Sequence, residues 1–144
     1  MCHLSFYIKK QTARSLAIMS RFEPDYSNGN LPDEHEEQRF FIMQFRKRWP
    51  SVRIFAIPNG GARGIREAAR LKAEGVSAGV PDLFIPEWLC WVEMKKAKGG
   101  RVSPEQADWH KYLIDVGQRV QVCAGWQEAM SFVEQVAEFA NQNA

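Results

Sequence analysis

No stretch of this sequence approaches the roughly twenty consecutive apolar residues that a membrane-spanning helix requires, so the expectation is a soluble protein without a membrane partner. Cysteine is scarce. Cys2, Cys90 and Cys123 are three in number and far apart, with no C-x-x-C pair, which excludes a disulfide scaffold or a zinc finger and points to a reducing, cytoplasmic setting. Cys90 and Cys123 each sit in an apolar run and should pack as small hydrophobes. The histidines His3, His35 and His110 are scattered, which argues against a histidine-ligated metal nuclease and leaves His110 to pack or cap locally. Neither charge dominates: 19 Lys and Arg stand against 17 Asp and Glu, a net +2 that names no nucleic-acid partner by itself. There is no internal repeat, and the amino terminus lacks the apolar region and small-residue cleavage site of a secretory signal.

What is present is a chain of 144 residues, 45% hydrophobic, enough for one globular domain with a core and one active site. Residues 1–30 read as an appendage, disordered or not native, with Met19 as an alternative start. They run into the turn-forming Ser27-Asn28-Gly29-Asn30-Leu31-Pro32, and residues 31–144 form the domain. After Pro32, acidic residues crowd the start and Arg46, Lys47 and Arg48 the end of a helix that Pro50 stops. Gln38, Ile42, Phe45 and Trp49 recur at helical spacing with Glu34 one turn before Gln38, so Glu34 points toward the domain. Glu36 and Glu37 read as solvated or flanking, although Glu37 aligns with Phe41.

VRIFAI (52–57) alternates as a strand and ends at Pro58-Asn59-Gly60-Gly61. A helix from Ile65 to Glu74 closes at Gly75. Asp82 then opens the strand Leu83-Phe84-Ile85, and Trp88 to Lys95 follows after a short turn, predicting an antiparallel hairpin. A basic, glycine-rich loop from Lys96 to Val102 precedes Ser103-Pro104-Glu105-Gln106, which has the cap, first-turn proline and acid of a helix start. That helix runs to Val116, a short strand spans Arg119 to Cys123, and a last helix runs from Trp126 to Phe139. The pattern is α/β, with a central mixed sheet of about four strands flanked by helices.

Phosphodiester hydrolysis needs charge neutralisation at the phosphate and a nucleophilic water, which hard divalent ions held by carboxylates supply. Pairing of the two hairpin strands brings Asp82 and Glu93 to one edge of the sheet. Lys95 lies two residues beyond Glu93, and i, i+2 side chains on a strand share a face, so a carboxylate and an ammonium reach one phosphate. The lysine can orient the water or stabilise transition-state charge. Asn59 and Gly60 form either an ordinary turn or a loop whose amides approach a phosphate. Arg63, Arg66, Arg70 and Lys72, with Lys96, Lys98 and Arg101, flank the loops beside the carboxylates and are candidate DNA contacts.

A lone P-D followed by E-x-K is weak, but here it sits in a longer text. The early acidic helix, IPNGG, RLKAEGVSAGVPDLFI, WVEMKK, SPEQADWHKYLIDVG and VQVCAGWQEAM together make the chain, over roughly residues 33–140, resemble the VRR-NUC family of PD-(D/E)xK nucleases in its small stand-alone phage or bacterial form. The resemblance implies a restriction-endonuclease-like core, metal binding by Asp82 and Glu93, catalysis by Lys95, and support from Gln106 and a helix-one glutamate. Glu34, Glu36 and Glu37 compete for that last place, and helical phase favours Glu34 as a further catalytic and metal-binding residue. It also implies Mg2+ or Mn2+ as cofactor and DNA as substrate, with a homodimer acting on branched DNA such as four-way (Holliday) junctions. The rival readings are a non-catalytic DNA-binding module and a nuclease without structure preference.

Overall fold

The computed structural model describes residues 23–27, 29, 31–58 and 64–143. Cys2, His3, Met19 and most of the amino-terminal appendage lie outside them. Helix α1 (Glu34–Arg48) begins where Asp33 and Glu36 cap each other: the Glu36 N–H donates to Asp33 Oδ1 at 2.8 Å and the Asp33 N–H to Glu36 Oε2 at 3.0 Å. Two amides that a helix start leaves unpaired are thereby satisfied, which commits Glu36 to the cap.

The inward face of α1 differs from the expected stripe. Glu37, Phe40, Phe41 and Phe45 are buried, whereas Gln38 and Ile42 are only half-buried at its edge. Helix α1 packs both on the last helix and on the central strand, and the line Glu37-Phe41-Phe45, at i+4 spacing, fills the space between them. Glu37 is therefore a core residue rather than a solvated one.

Strand β1 (Phe55–Ala56) is shorter than the alternating VRIFAI suggested. The Val52 N–H is taken by Trp49 O in the turn that closes α1, so pairing is confined to Phe55 with Phe84 and Ala56 with Leu83, plus the Ile57 N–H to Asp82 O at 2.7 Å. Helix α2 (Ile65–Ala73) follows and buries none of its residues. Strand β2 (Leu83–Ile85) and strand β3 (Cys90–Lys95) form the expected antiparallel hairpin, joined by one 3-10 turn at Pro86–Trp88. Helix α3 (Pro104–Asp115) crosses over to strand β4 (Arg119–Ala124), which runs parallel to β3, and helix α4 (Trp126–Gln142) ends the described chain.

The sheet is mixed, in the order β1-β2-β3-β4. Leu83, Ile85, Cys90, Val92 and Met94 point to one face and join Phe41, Phe45, Val133 and Val136 in the core. Cys90 and Cys123 are buried there as free thiols. Strand alternation sends Trp91, Glu93 and Lys95 to the opposite face. Among the described residues, no helix is long and apolar enough to cross a membrane.

Candidate active site

The register that pairs Leu83 with Val92 carries Asp82, just before β2, to the level of Glu93. The Met94 N–H donates to Asp82 Oδ2 at 2.8 Å and fixes that carboxylate against the neighbouring strand. Glu93 is fully buried, and its Oε1 accepts from Lys95 Nζ at 2.8 Å and from Gln106 Nε2. Gln106 is held in turn by the start of α3: its side-chain Oε1 accepts the Ser103 N–H at 2.9 Å, and its own N–H donates to Ser103 Oγ. A capping box thus aims the Gln106 amide at Glu93. Glu34, half exposed at the start of α1, brings Oε2 to 3.8 Å from Lys95 Nζ.

Two glycines let the backbone close over this cluster. Gly79 has φ +89°, and a Cβ there would meet the backbone carbonyl of Glu105 at 2.4 Å. A Cβ on Gly100 would lie 2.7 Å from Lys95 Cβ, so the glycine-rich loop rests on the stem of the lysine. Gly79→Ala is expected to cost about 2–4 kcal/mol, from overpacking and a left-handed backbone together. It should also displace the α3 start that carries Gln106, which urea denaturation and cleavage assays on the variant would check; an unchanged denaturation midpoint would contradict the packing argument.

The chain's residues 31–127 match the VRR-NUC domain. The chain belongs to the VRR-NUC domain family. A solved structure of a VRR-NUC domain protein shares the fold at a TM-score of 0.62, with 24% identity over 76% of this chain and 91% of that one. No curated protein matches the chain. The fold is therefore that of a nuclease-type domain.

Electrostatics at the cluster are dominated by burial. Glu93 is pushed up to about 7 by desolvation and by the charge of Asp82, against the opposing hydrogen bond from Lys95. Desolvation likewise raises Asp82, where the Met94 amide and Lys95 oppose it, and Glu34, where Lys95 opposes it. Burial alone would lower Lys95, but the Glu93 hydrogen bond and the charges of Glu93, Glu34 and Asp82 outweigh it and hold the ammonium protonated.

The donor set fits a divalent ion. Glu93 Oε2 is buried without a hydrogen-bond partner among the described residues, beside Asp82, while Lys95 and Gln106 occupy only Oε1. No three His, Cys, Asp or Glu side chains among the described residues form a ready-made cage. A site of one or two carboxylates suits a hard divalent ion that keeps waters and takes phosphate oxygens. A pH effect follows with a definite sign. Because the folded Glu93 value of about 7 exceeds its ordinary 4.5, the metal-free protein should lose stability as pH rises between those values. The loss is on the order of 3 kcal/mol. Glu93→Gln should raise metal-free stability at pH 8 and leave it unchanged at pH 4, as thermal unfolding at both pH values would show.

Of the other residues read from sequence, Arg66, Lys96, Lys98 and Arg101 are exposed, and the charge of Lys96 acts on Glu34. Asn59, Gly60 and Arg63 lie outside the described residues. Arg70 is paired with Glu74 at 2.9 Å, which leaves it less available to a phosphate. Two residues at or near the site take places other than those the sequence favoured. Glu37 accepts from Tyr26 Oη at 2.6 Å and from the Trp126 N–H at 2.8 Å, so it caps the start of α4 from another helix. Its i+4 spacing to Phe41 and Phe45 was the available signal. His110 stands 3.9 Å from Glu93 Oε2, one turn after Gln106, so a Gln106 facing the hairpin required His110 to face it as well.

Proposed function

We propose that this VRR-NUC domain is a metal-dependent DNA endonuclease that cuts branched DNA, four-way junctions included, as a homodimer. The observation that carries the reading is the buried, unpartnered Glu93 Oε2, on a carboxyl that feels the charge of Asp82, with Lys95 and Gln106 fixing the opposite oxygen. Asp82 and Glu93, with Glu34 across Lys95, are the residues that would hold Mg2+ or Mn2+. When bound, such an ion neutralises the scissile phosphate and lowers the pKa of a bound water. Lys95 stabilises the charge that develops on the phosphate and orients the attacking water, while Gln106 keeps the Glu93 carboxylate turned for ligation.

The DNA track runs over Arg66, Lys96, Lys98 and Arg101, with Asn59, Gly60 and Arg63 assigned to the same path from sequence. These side chains neutralise backbone phosphates, so binding should weaken steeply with salt. Two copies related by a two-fold axis would place one site on each of two strands of a symmetric junction. The test is cleavage of matched linear, single-stranded and four-way-junction DNA with Mg2+, Mn2+ or chelator, comparing the wild type with Asp82→Ala. Metal-dependent cutting that Asp82→Ala abolishes, with preference for the junction, is the expected result. Binding without cutting in every metal would overturn it in favour of a DNA-binding module, and equal cutting of all substrates would remove the junction preference.

A further inference from the structure

Two orphaned polar atoms face each other on the α3 side of the site. Glu93 Oε2 and His110 Nε2 are both buried and without a hydrogen-bond partner among the described residues, and they stand 3.9 Å apart, too far for a direct bond. A buried polar atom left unpaired costs about 1–3 kcal/mol, and here two such atoms flank one gap. The helix that carries His110 is pinned by two side chains in the turn before it. Gln106 donates to Glu93 Oε1, and the Trp109 Nε1–H donates to Ser77 Oγ at 3.1 Å, tying the helix to the segment that leads into Asp82. Lys95 sits on the far oxygen of Glu93, so the gap itself is not filled by that ammonium. Burial and the Lys95 charge lower His110, and the charge of Asp82 opposes them.

We propose that His110 Nε2 and Glu93 Oε2 together ligate the divalent ion, so that the site carries one nitrogen ligand and prefers Mn2+ to Mg2+. The inference deepens the metal-dependent nuclease reading and rests on it. First-row transition metals take an imidazole nitrogen, Mn2+ the most weakly of them, whereas Mg2+ favours an all-oxygen shell. Cis ligands about 2.1 Å from one octahedral ion lie about 3 Å apart, so a modest turn of the His110 ring closes the present gap.

The test is direct metal binding by the full chain, read by electron paramagnetic resonance rather than by activity. Wild-type protein loaded with Mn2+ should show nitrogen modulation from an imidazole in its pulsed spectrum, and His110→Gln should abolish it. The substitution should weaken Mn2+ binding at least about tenfold while changing Mg2+ affinity, read by competition, by less than about threefold. Mn2+ bound by the wild type with no nitrogen modulation overturns the inference and leaves the nuclease reading standing. The same holds if His110→Gln keeps the modulation, or if it weakens both metals equally. Failure of the wild type to bind Mn2+ at all overturns both together. The wild-type spectrum decides the matter even if the variant folds poorly.

Discussion

Lys95→Ala is expected to slow metal-dependent DNA cleavage by about a hundredfold to a thousandfold, the effect of removing one preorganised charge from a phosphoryl transition state. Two changes combine in this substitution. The ammonium proposed to act on the scissile phosphate is lost, and Glu93 Oε1 keeps only its bond from Gln106. Lys95 opposes the upward push of burial on Glu93, so its removal raises that carboxyl further above its present value of about 7. A proton then competes with the metal over a wider pH range. The deficit should accordingly be largest near neutral pH, and part of it should be recovered as pH is raised or metal is increased. Single-turnover cleavage from pH 6 to pH 9, at two Mn2+ concentrations, separates the two contributions: the part due to metal binding recovers and the part due to lost transition-state charge does not. A variant that cuts at the wild-type rate would remove Lys95 from the chemistry altogether.

Glu37→Ala should be the most destabilising single change described here, by about 3–5 kcal/mol, from two lost hydrogen bonds to a buried carboxyl and the cavity left behind. The Tyr26 hydroxyl and the Trp126 amide both lose their acceptor. The second loss falls on the first turn of α4, whose Val133, Val136 and Ala137 supply much of the core beside α1. Glu37→Gln keeps an acceptor and the volume, and should cost only about 1 kcal/mol. Urea unfolding of the two variants beside the wild type is the check, and equal midpoints for Glu37→Ala and the wild type would show that α4 does not depend on this cap. The consequence reaches the active site by a short path, since the Gly125 N–H donates to Lys95 O at 2.9 Å immediately before α4 begins. Loosening that helix start loosens the end of β3 on which Lys95 is carried. Tyr26, within the span read as an appendage, is one of the two donors to Glu37.

Glu36 and Glu37 illustrate how neighbouring residues of one type are sorted by different forces. Glu36 is fixed by local chemistry three residues from Asp33, a capping pattern readable in the text. Glu37 is fixed by which side of α1 meets α4 and β3, and that depends on elements more than fifty residues away. Glu34 is different again: its contact with Lys95 follows from how far the start of α1 overhangs the end of the sheet.

The sequence by itself determined the hairpin, the capped start of α3 and the shared face of Glu93 and Lys95, because strand alternation, turn chemistry and helix capping act over a few residues. It also carried the VRR-NUC resemblance, since those short motifs recur in a fixed order. Only the tertiary structure decided that Val52 belongs to a turn and not to β1, that Glu37 is buried, and that His110 faces Glu93. The last two depend on the packing of one element against another that is distant in the chain, because local periodicity leaves the rotation of a helix about its axis open by about one residue, roughly 100°. The Val52 turn is a local bond to Trp49 that apolar alternation masks.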